Sequence, residues 1–413
     1  MADIGGGRRA RGSGGGARAG RAVVSGAGIA GLATALRLHH AGWEVLVVER
    51  APARRSGGYM INLVGPGHAA AERLGLLPAL APRDLGLFTT VMVRADGRPK
   101  FTVPAALAQA ALGDRALTVF RGDLESALYR AVREHAAIRF GTTVRAVEQD
   151  ADRVRVALDD GTSEQADLLV GADGLHSGVR RTVFGPERDF RVDLRHAVAA
   201  FPLPRVPADV PEGAGTVFIG PGRTASVVNL GPGRSSAFFA YRCADPDAEL
   251  DRGPVGALGT AFGDLGGGAA GALELLAGAP EDAYFDSVSQ TAMDRWSRGR
   301  VVLLGDAAWC VSLFAGHGAT LALSGADRLG DALDEHGGDV PAALAAWEAR
   351  LRPEVRGRQA SARKGMTRFA PPTRAHVRAN DLVMRAIGLP GVSALFQRSV
   401  QRSIRRSTER AAR

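Results

Sequence analysis

The sequence predicts an α/β fold: a parallel sheet of the dinucleotide-binding kind, interleaved with a mostly antiparallel sheet and followed by a helical C-terminal segment. Three stretches predict it: Gly26-Ala27-Gly28-Ile29-Ala30-Gly31, Asp173-Gly174 and Gly305-Asp306, each just after a short run rich in Val, Leu or Ala. Runs of that length and composition read as buried parallel strands rather than helices. Open α/β sheets present their ligand-binding groups at the carboxyl ends of such strands.

In chain order, residues 21–25 form the first strand and residues 32–41 a helix with Leu32, Ala35, Leu36 and Leu38 on its apolar side. Gly42 stops that helix, and residues 43–48 form the second strand, ending in Glu49-Arg50. In the G-x-G-x-x-G, Gly26 allows the tight turn, Gly28 lets the backbone approach a pyrophosphate, and Gly31 lets helix pack on sheet. Glu49 falls 18 residues after Gly31, where a carboxylate binds a ribose hydroxyl pair and repels a 2′-phosphate. This favours FAD or NAD over NADP at that position. Arg121 opens a helix running to residue 134 and suits a phosphate or a solvated helix start equally. Three short strands follow, at 143–148, at 153–158 and after the turn Asp159-Asp160-Gly161. Residues 166–171 then lead to Asp173-Gly174, with Ser177 and Arg180 on the next helical turn. Residues 301–305 lead to Asp306, and a helix starting at 316–319 carries Leu321, Leu323, Ala326 and Leu329 inward. Its first N–H groups and positive dipole face what Asp306 faces. Two acid-ended strands beside a nucleotide fold suit a long cofactor with a ribityl chain better than NAD.

With those residues in place, the chain resembles single-component flavoprotein monooxygenases of the para-hydroxybenzoate hydroxylase type. The likeness is greatest to bacterial relatives that hydroxylate polyketides, antibiotics and other ring compounds, and it covers roughly residues 21 to 370. The Gly57-Gly58-Tyr59-Met60-Ile61 stretch also fits. The resemblance implies a Rossmann-like FAD-binding domain. Gly26, Ala27, Gly28, Ile29, Ala30, Gly31, Glu49 and Arg50 would lie at the ADP half of FAD, with Val144 beside it. Arg121 would stand near the phosphates and ribityl, Gly305 and Asp306 at a ribityl hydroxyl or the pyrophosphate, and Gly316, Gly318, Ala319 and Thr320 at the pyrimidine edge. Asp173 and Arg180 would be shared between FAD support and transient docking of NADH or NADPH. It further implies insertion of one O₂ oxygen into an aromatic or polyketide-like small molecule through a C4a-hydroperoxyflavin. Two positions depart from the family pattern. Trp309 replaces a histidine or tyrosine, and Leu313 replaces the proline of the loop bordering the flavin. Leu313 motivates an alternative: FAD held structurally in a non-redox cyclisation or rearrangement. A halogenase would need Trp-x-Trp, which none of the four tryptophans forms. His317, between two loop glycines, is the one candidate proton donor.

The second, sheet-rich lobe comes from residues 87–103 and 186–289, with strands expected at 91–94, 197–201, 215–219, 225–230, 236–242 and 284–288. Alternation puts Phe238 and Ala240 on one face of the 236–242 strand and Phe239 and Tyr241 on the other. With the register open, Phe238, Tyr241, Leu313 and Phe314 are all candidates for the substrate pocket. Residues 253–278 read as a helix broken at Gly266–Gly268 that covers the site. The nucleotide-binding lobe then comprises 21–86, 104–185 and 290–335. Residues 336–413 are helical, including an amphipathic stretch at 342–350 that Pro353 ends or kinks. Residues 1–20 read as a disordered tail or a misplaced start.

Composition bounds the rest. The formal charge is +9, almost all of it from arginine, since Lys100 and Lys364 are the only lysines. Without an aromatic-interleaved basic patch this argues for a solvated arginine-biased surface, including a basic helix at 398–413, and against nucleic acid. No apolar run is long enough to span a bilayer, and no metal-ligand spacing is present. Two cysteines, Cys243 and Cys310, fit a reducing cytoplasm. A monomer or homodimer without membrane or nucleic-acid partners is expected.

Overall fold

The computed structural model describes residues 20–54, 59–106 and 115–387. The tail to residue 19, Gly57-Gly58 and the basic stretch 398–413 lie outside the described residues.

A six-stranded sheet forms the first layer, in the order Ser297–Arg298, Val301–Leu303, Leu168–Gly171, Arg21–Ser25, Glu44–Glu49 and Ala137–Phe140. Every neighbour is parallel except the first hairpin. Its central strands are buried on both faces because helices pack on each side, which is why they read as continuous apolar runs. In register, Ser25 lies beside Gly171 and Gly171 beside Leu303. Three strands 140 residues or so apart in sequence therefore stop on one line, and their loops emerge at one edge.

The helix after the first strand, Ile29–His40, begins three residues earlier than its apolar spacing suggests. Ile29 to Gly31 of the glycine motif already belong to it. Strands Met60–Val64 and Ala116–Phe120 pair as a separate two-stranded ribbon that periodicity did not reveal. Strands Val144–Gln149, Val154–Leu158 and Ser163–Ala166 form a three-stranded sheet as expected. There Val144 is a buried core residue paired with Leu158.

The second lobe is a seven-stranded sheet, ordered Tyr284–Thr291, Arg191–Pro202, Ser235–Arg242, Arg223–Asn229, Ala214–Gly220, Thr89–Val93 and Pro99–Val103. It is antiparallel but for the pair of Ala214–Gly220 with Thr89–Val93. Helices Pro246–Phe262 and Gly268–Gly278 pack on the face carrying Phe239 and Tyr241. Phe238 and Ala240 lie on the other face, with Phe314 and Leu313. The two helices thus back the sheet and do not cover the site, contrary to the sequence expectation. Their apolar residues Ala257, Leu258 and Phe262 find their partners on that far face.

The helix Val340–Phe369, in the C-terminal segment, continues through Pro353 without interruption. Proline removes the bond to the carbonyl four residues back, but Ala349 and Pro353 are both on the exposed side, where water can reach that carbonyl. The buried stripe of Leu344, Trp347, Leu351, Val355 and Ala362 holds the helix across the break.

Candidate active site

Each glycine of the first motif has a different task. Gly26 adopts φ +107°, its N–H donates to the Val48 carbonyl at 2.7 Å, and an added Cβ would sit 2.5 Å from the Ala172 oxygen. A Cβ on Gly31 would come within 1.8 Å of the Gly26 oxygen. Both are close-packing positions. Gly28 is different: a Cβ there would meet only the Arg121 guanidinium, at 3.9 Å. It lines open space at the uncapped N-terminus of the 12-residue helix, a cradle that backbone N–H groups and the helix dipole make favourable for a diphosphate.

Around that cradle, the Glu49 carboxylate accepts from Ala27 N–H at 2.7 Å and Ala51 N–H at 2.8 Å. It ties the glycine turn to the end of the second strand and retains lone pairs for a ribose; Arg50 is exposed. Arg121 starts helix Arg121–Val132, its N–H donating to the Tyr59 carbonyl at 2.9 Å. Its guanidinium pairs with Glu125 at 2.9 Å, and burial raises the Glu125 pKa. The Tyr59 phenol is pushed up to about 12 by burial, with Arg121 opposing and Asp306 adding to the shift. Tyr59, Arg121 and Asp306 thus share one electrostatic neighbourhood.

Asp306 is exposed to solvent on one side, yet surrounding protein desolvates it and raises its pKa, while Cys310 and Arg121 lower it. An acid both reachable and walled in sits on the side of a cleft. Gly305 before it takes φ +69°, and its Cβ position is 2.7 Å from Ala30, so the first and last motifs touch.

Asp173 turns toward its own helix. It accepts from the Ser177 hydroxyl at 2.5 Å and from Val179 N–H at 3.0 Å, capping Gly178–Val183. Arg180 is fully buried, donating to the Ala307 carbonyl at 2.9 Å and the Leu175 carbonyl at 2.5 Å. It braces the Asp-Gly loop to the Gly-Asp turn, and a side chain with no exposed surface cannot also receive a docking nicotinamide.

Between the acid and the next helix, residues 310–317 form an irregular loop. Ser312 holds φ +76°, and a 3₁₀ turn at Leu313–Ala315 is closed by Ala315 N–H to Ser312 O at 3.1 Å and Gly316 N–H to Leu313 O at 3.0 Å. Gly316 follows in the left-handed region. Helix Gly318–Glu335 then starts without a side-chain cap, and added Cβ atoms on Gly316 and Gly318 would meet nothing within 4 Å. Ala319 packs against the main core, and the Thr320 hydroxyl donates to the Asn62 carbonyl at 3.5 Å. The His317 ring nitrogen Nδ1 bonds the Ala315 carbonyl, and burial lowers its pKa. The charges it senses are Arg358 and Glu354 of the C-terminal helix, so it faces that helix.

The substrate-side candidates separate. Phe238 and Leu313 border one apolar cluster built of Leu194, Val198, Ala240, Val288 and Phe314. Tyr241 does not belong there: it packs against Phe262 on the opposite face and donates its hydroxyl to Glu249 at 2.7 Å. Trp309 is also turned away, 4.8 Å from Trp296 and 5.7 Å from Trp347 between ring centres. It fills core, so its departure from the family pattern is a packing substitution.

Sequence reasoning missed Gln359 and Gln290. The Gln359 amide donates to the carbonyls of Thr291, Trp309 and Cys310 at 2.8, 3.3 and 3.3 Å. Gln290 donates to those of Val311 and Gln359 at 3.1 and 3.0 Å. Together they hold three consecutive carbonyls leading into the Ser312 turn. The signal available was a glutamine on an otherwise apolar helical stripe, four residues after Val355.

Two uncapped helix N-termini, an open Gly28 and a walled acid between them fit the diphosphate and the flavin end of FAD. A family model described as an FAD binding domain matches residues 105–344. A 3-amino-4-hydroxybenzoate 2-monooxygenase of Streptomyces cremeus is 31% identical over 376 residues, covering 89% of this chain and 92% of that one. Among solved structures, the tetracycline destructase Tet(51) is similar at 27% identity with a TM-score of 0.74, covering 90% of this chain and 98% of that one. Klebsiella pneumoniae HpxO, solved with FAD and uric acid, is 26% identical with a TM-score of 0.71, covering 88% of this chain and 92% of that one.

Proposed function

From the premise that the chain belongs to the single-component FAD-dependent monooxygenases of the para-hydroxybenzoate hydroxylase type, we propose that NADH or NADPH drives it to insert one oxygen atom of O₂ into an aromatic or polyketide-like ring. The observation that carries this reading is the wall made by Phe238 of the Ser235–Arg242 strand with Leu313 and Phe314 of the loop joining Asp306 to the Gly318 helix. A flat apolar ring lies well against such side chains. The ring substrates named for the Streptomyces and Klebsiella relatives support the same class.

When bound, FAD would relay the electrons of the nicotinamide and supply the activation of O₂. The chain's own part is positional and electrostatic. Gly28 and Arg121 would hold the diphosphate side, and Asp306 would take a ribityl hydroxyl. The N–H groups of Gly318 to Thr320 would present positive charge to the pyrimidine edge. Leu313 and Phe314 exclude water from the face where the ring lies. The missing proline weighs little for a purely structural FAD, because the two backbone hydrogen bonds of the 3₁₀ turn shape the Leu313 loop without it.

The purified protein is expected to be yellow with bound FAD, and to oxidise NADH or NADPH faster, with matched O₂ uptake, when a suitable ring compound is added. Turnover of a ring compound with neither nicotinamide oxidation nor O₂ uptake would establish the non-redox rearrangement instead. A colourless protein that takes up no added FAD would overturn both.

A further inference from the structure

Among the described residues, only two other than glycine adopt left-handed φ: Arg195 at +55° and Ser312 at +76°. They lie 117 positions apart in sequence, yet they flank one contact. Arg195 precedes His196, Ser312 precedes Leu313 and Phe314, and the His196 and Phe314 rings meet edge to face at 5.5 Å. Strain of this kind is costly and persists only where the surroundings impose it. Its coincidence on both sides of one contact asks for a reason.

On the sheet side, the strain sits in a β-bulge. The pairing of Arg191–Pro202 with Tyr284–Thr291 shifts register between Asp193 and Ala197. A bulge re-aims the side chain beside it, and the side chain here is His196, buried on the face that carries Leu194, Val198 and Ala240. Its Nδ1 lies 2.6 Å from the Leu194 carbonyl. A carbonyl only accepts, so Nδ1 carries the proton and Nε2 of the neutral ring is a bare acceptor. No group among the described residues hydrogen-bonds Nε2. Two residues before Phe314 in sequence, the buried Ser312 hydroxyl is also without a hydrogen-bond partner. The unspent Nε2 of His196 therefore sits at an otherwise apolar cluster bordered by Phe238, Leu313 and Met366.

We propose that His196 is a substrate-positioning residue, its Nε2 accepting a hydrogen bond from a hydroxyl on an otherwise apolar ring. This rests on the ring-oxidation reading above, since it concerns the same apolar wall. Burial lowers the His196 pKa, aided by Arg242 on the paired strand; the Leu194 carbonyl and Asp193 oppose. Phe314 and Val288 from the other packed elements bring no charge. The ring is thus neutral, and able to accept, at neutral pH.

The test uses the FAD-loaded protein in its oxidised state without nicotinamide, so its outcome does not depend on reduction or oxygen chemistry. The probes are 2-naphthol and 2-methoxynaphthalene, which share a ring but differ in the O–H donor, and binding is read from the shift of the flavin visible spectrum. Wild type is expected to prefer 2-naphthol by about 3- to 10-fold, the range of one neutral hydrogen bond. His196→Phe should abolish the preference while keeping FAD content and melting temperature. His196→Gln, which keeps an acceptor at similar reach, should restore part of it. In wild type the preference should hold above pH 6.5 and vanish in acid as the imidazole protonates; in His196→Phe it should be absent at every pH. An undiminished preference in His196→Phe would overturn the proposal. So would equal binding of the two probes by wild type, or a spectrum that neither probe shifts. Failure of the ring-oxidation reading would appear separately, as nicotinamide oxidation that no ring compound accelerates.

Discussion

At Asp306 the demands of folding and of ligand binding oppose each other. Packed protein raises its pKa chiefly by desolvation, so the folded state binds a proton more tightly than the unfolded chain. The stability linked to that proton is fully present below the unfolded carboxylate pKa, near 3.8, and is lost as pH rises through the raised folded value. At neutral pH, above the unfolded carboxylate pKa, the desolvation of this acid therefore weakens the apoprotein. Asp306→Asn is expected to raise the melting temperature of the apoprotein at pH 7 and to leave it unchanged well below pH 3.8. The same change should weaken FAD binding by about 10-fold or more, as befits a charged hydrogen bond lost to a ribityl hydroxyl. Calorimetry of the apoprotein at two pH values, with FAD titration, measures both. A less stable apoprotein at pH 7 would show that desolvation is not the dominant influence on Asp306.

Among the elements, the C-terminal helix Val340–Phe369 does more than cover the first sheet. Through Gln359 and Gln290 it holds the carbonyls of Trp309, Cys310 and Val311, and Arg363 completes the arrangement by donating to the Gln290 oxygen at 2.6 Å. Gln359→Leu keeps the bulk but removes the donors. It is expected to cost about 1–3 kcal/mol, the penalty for buried carbonyls left without partners. Because those carbonyls lead into the Ser312 turn, FAD affinity should fall as well. Thermal denaturation with a parallel FAD titration checks both; unchanged FAD affinity would mean that the turn keeps its shape without the helix. This clamp was illegible in the sequence. A glutamine on a helical stripe says that something polar is buried, and only the packed helix says which carbonyls it meets.

For the molecule as a whole, legibility followed the range of the interactions. The strand-end motifs at Gly26, Asp173 and Asp306 could be read because each is local, a strand followed by residues a turn needs. Their convergence followed from the rule that parallel strands share a ligand-binding edge. The face of Phe238 relative to Tyr241 could not be read, since it depends on pairing with Ala200 and Ser226, far off in sequence. Nor could the direction of Asp173, which serves its own helix, or of Trp309, which is set by Trp296 and Trp347. Because the FAD site draws on the ends of distant segments, the cofactor should stabilise the entire first lobe. FAD at 100 times its dissociation constant is expected to add about 2.7 kcal/mol, seen as a higher melting temperature in calorimetry. The cluster of Trp296, Trp309 and Trp347 also makes the protein its own optical reporter. Three of the four indoles stand together behind the Asp306–Trp309 turn, and their emission overlaps flavin absorption. Energy transfer to an incoming flavin would dim most of the intrinsic fluorescence at once, so cofactor loading and release can be timed by stopped flow without any label.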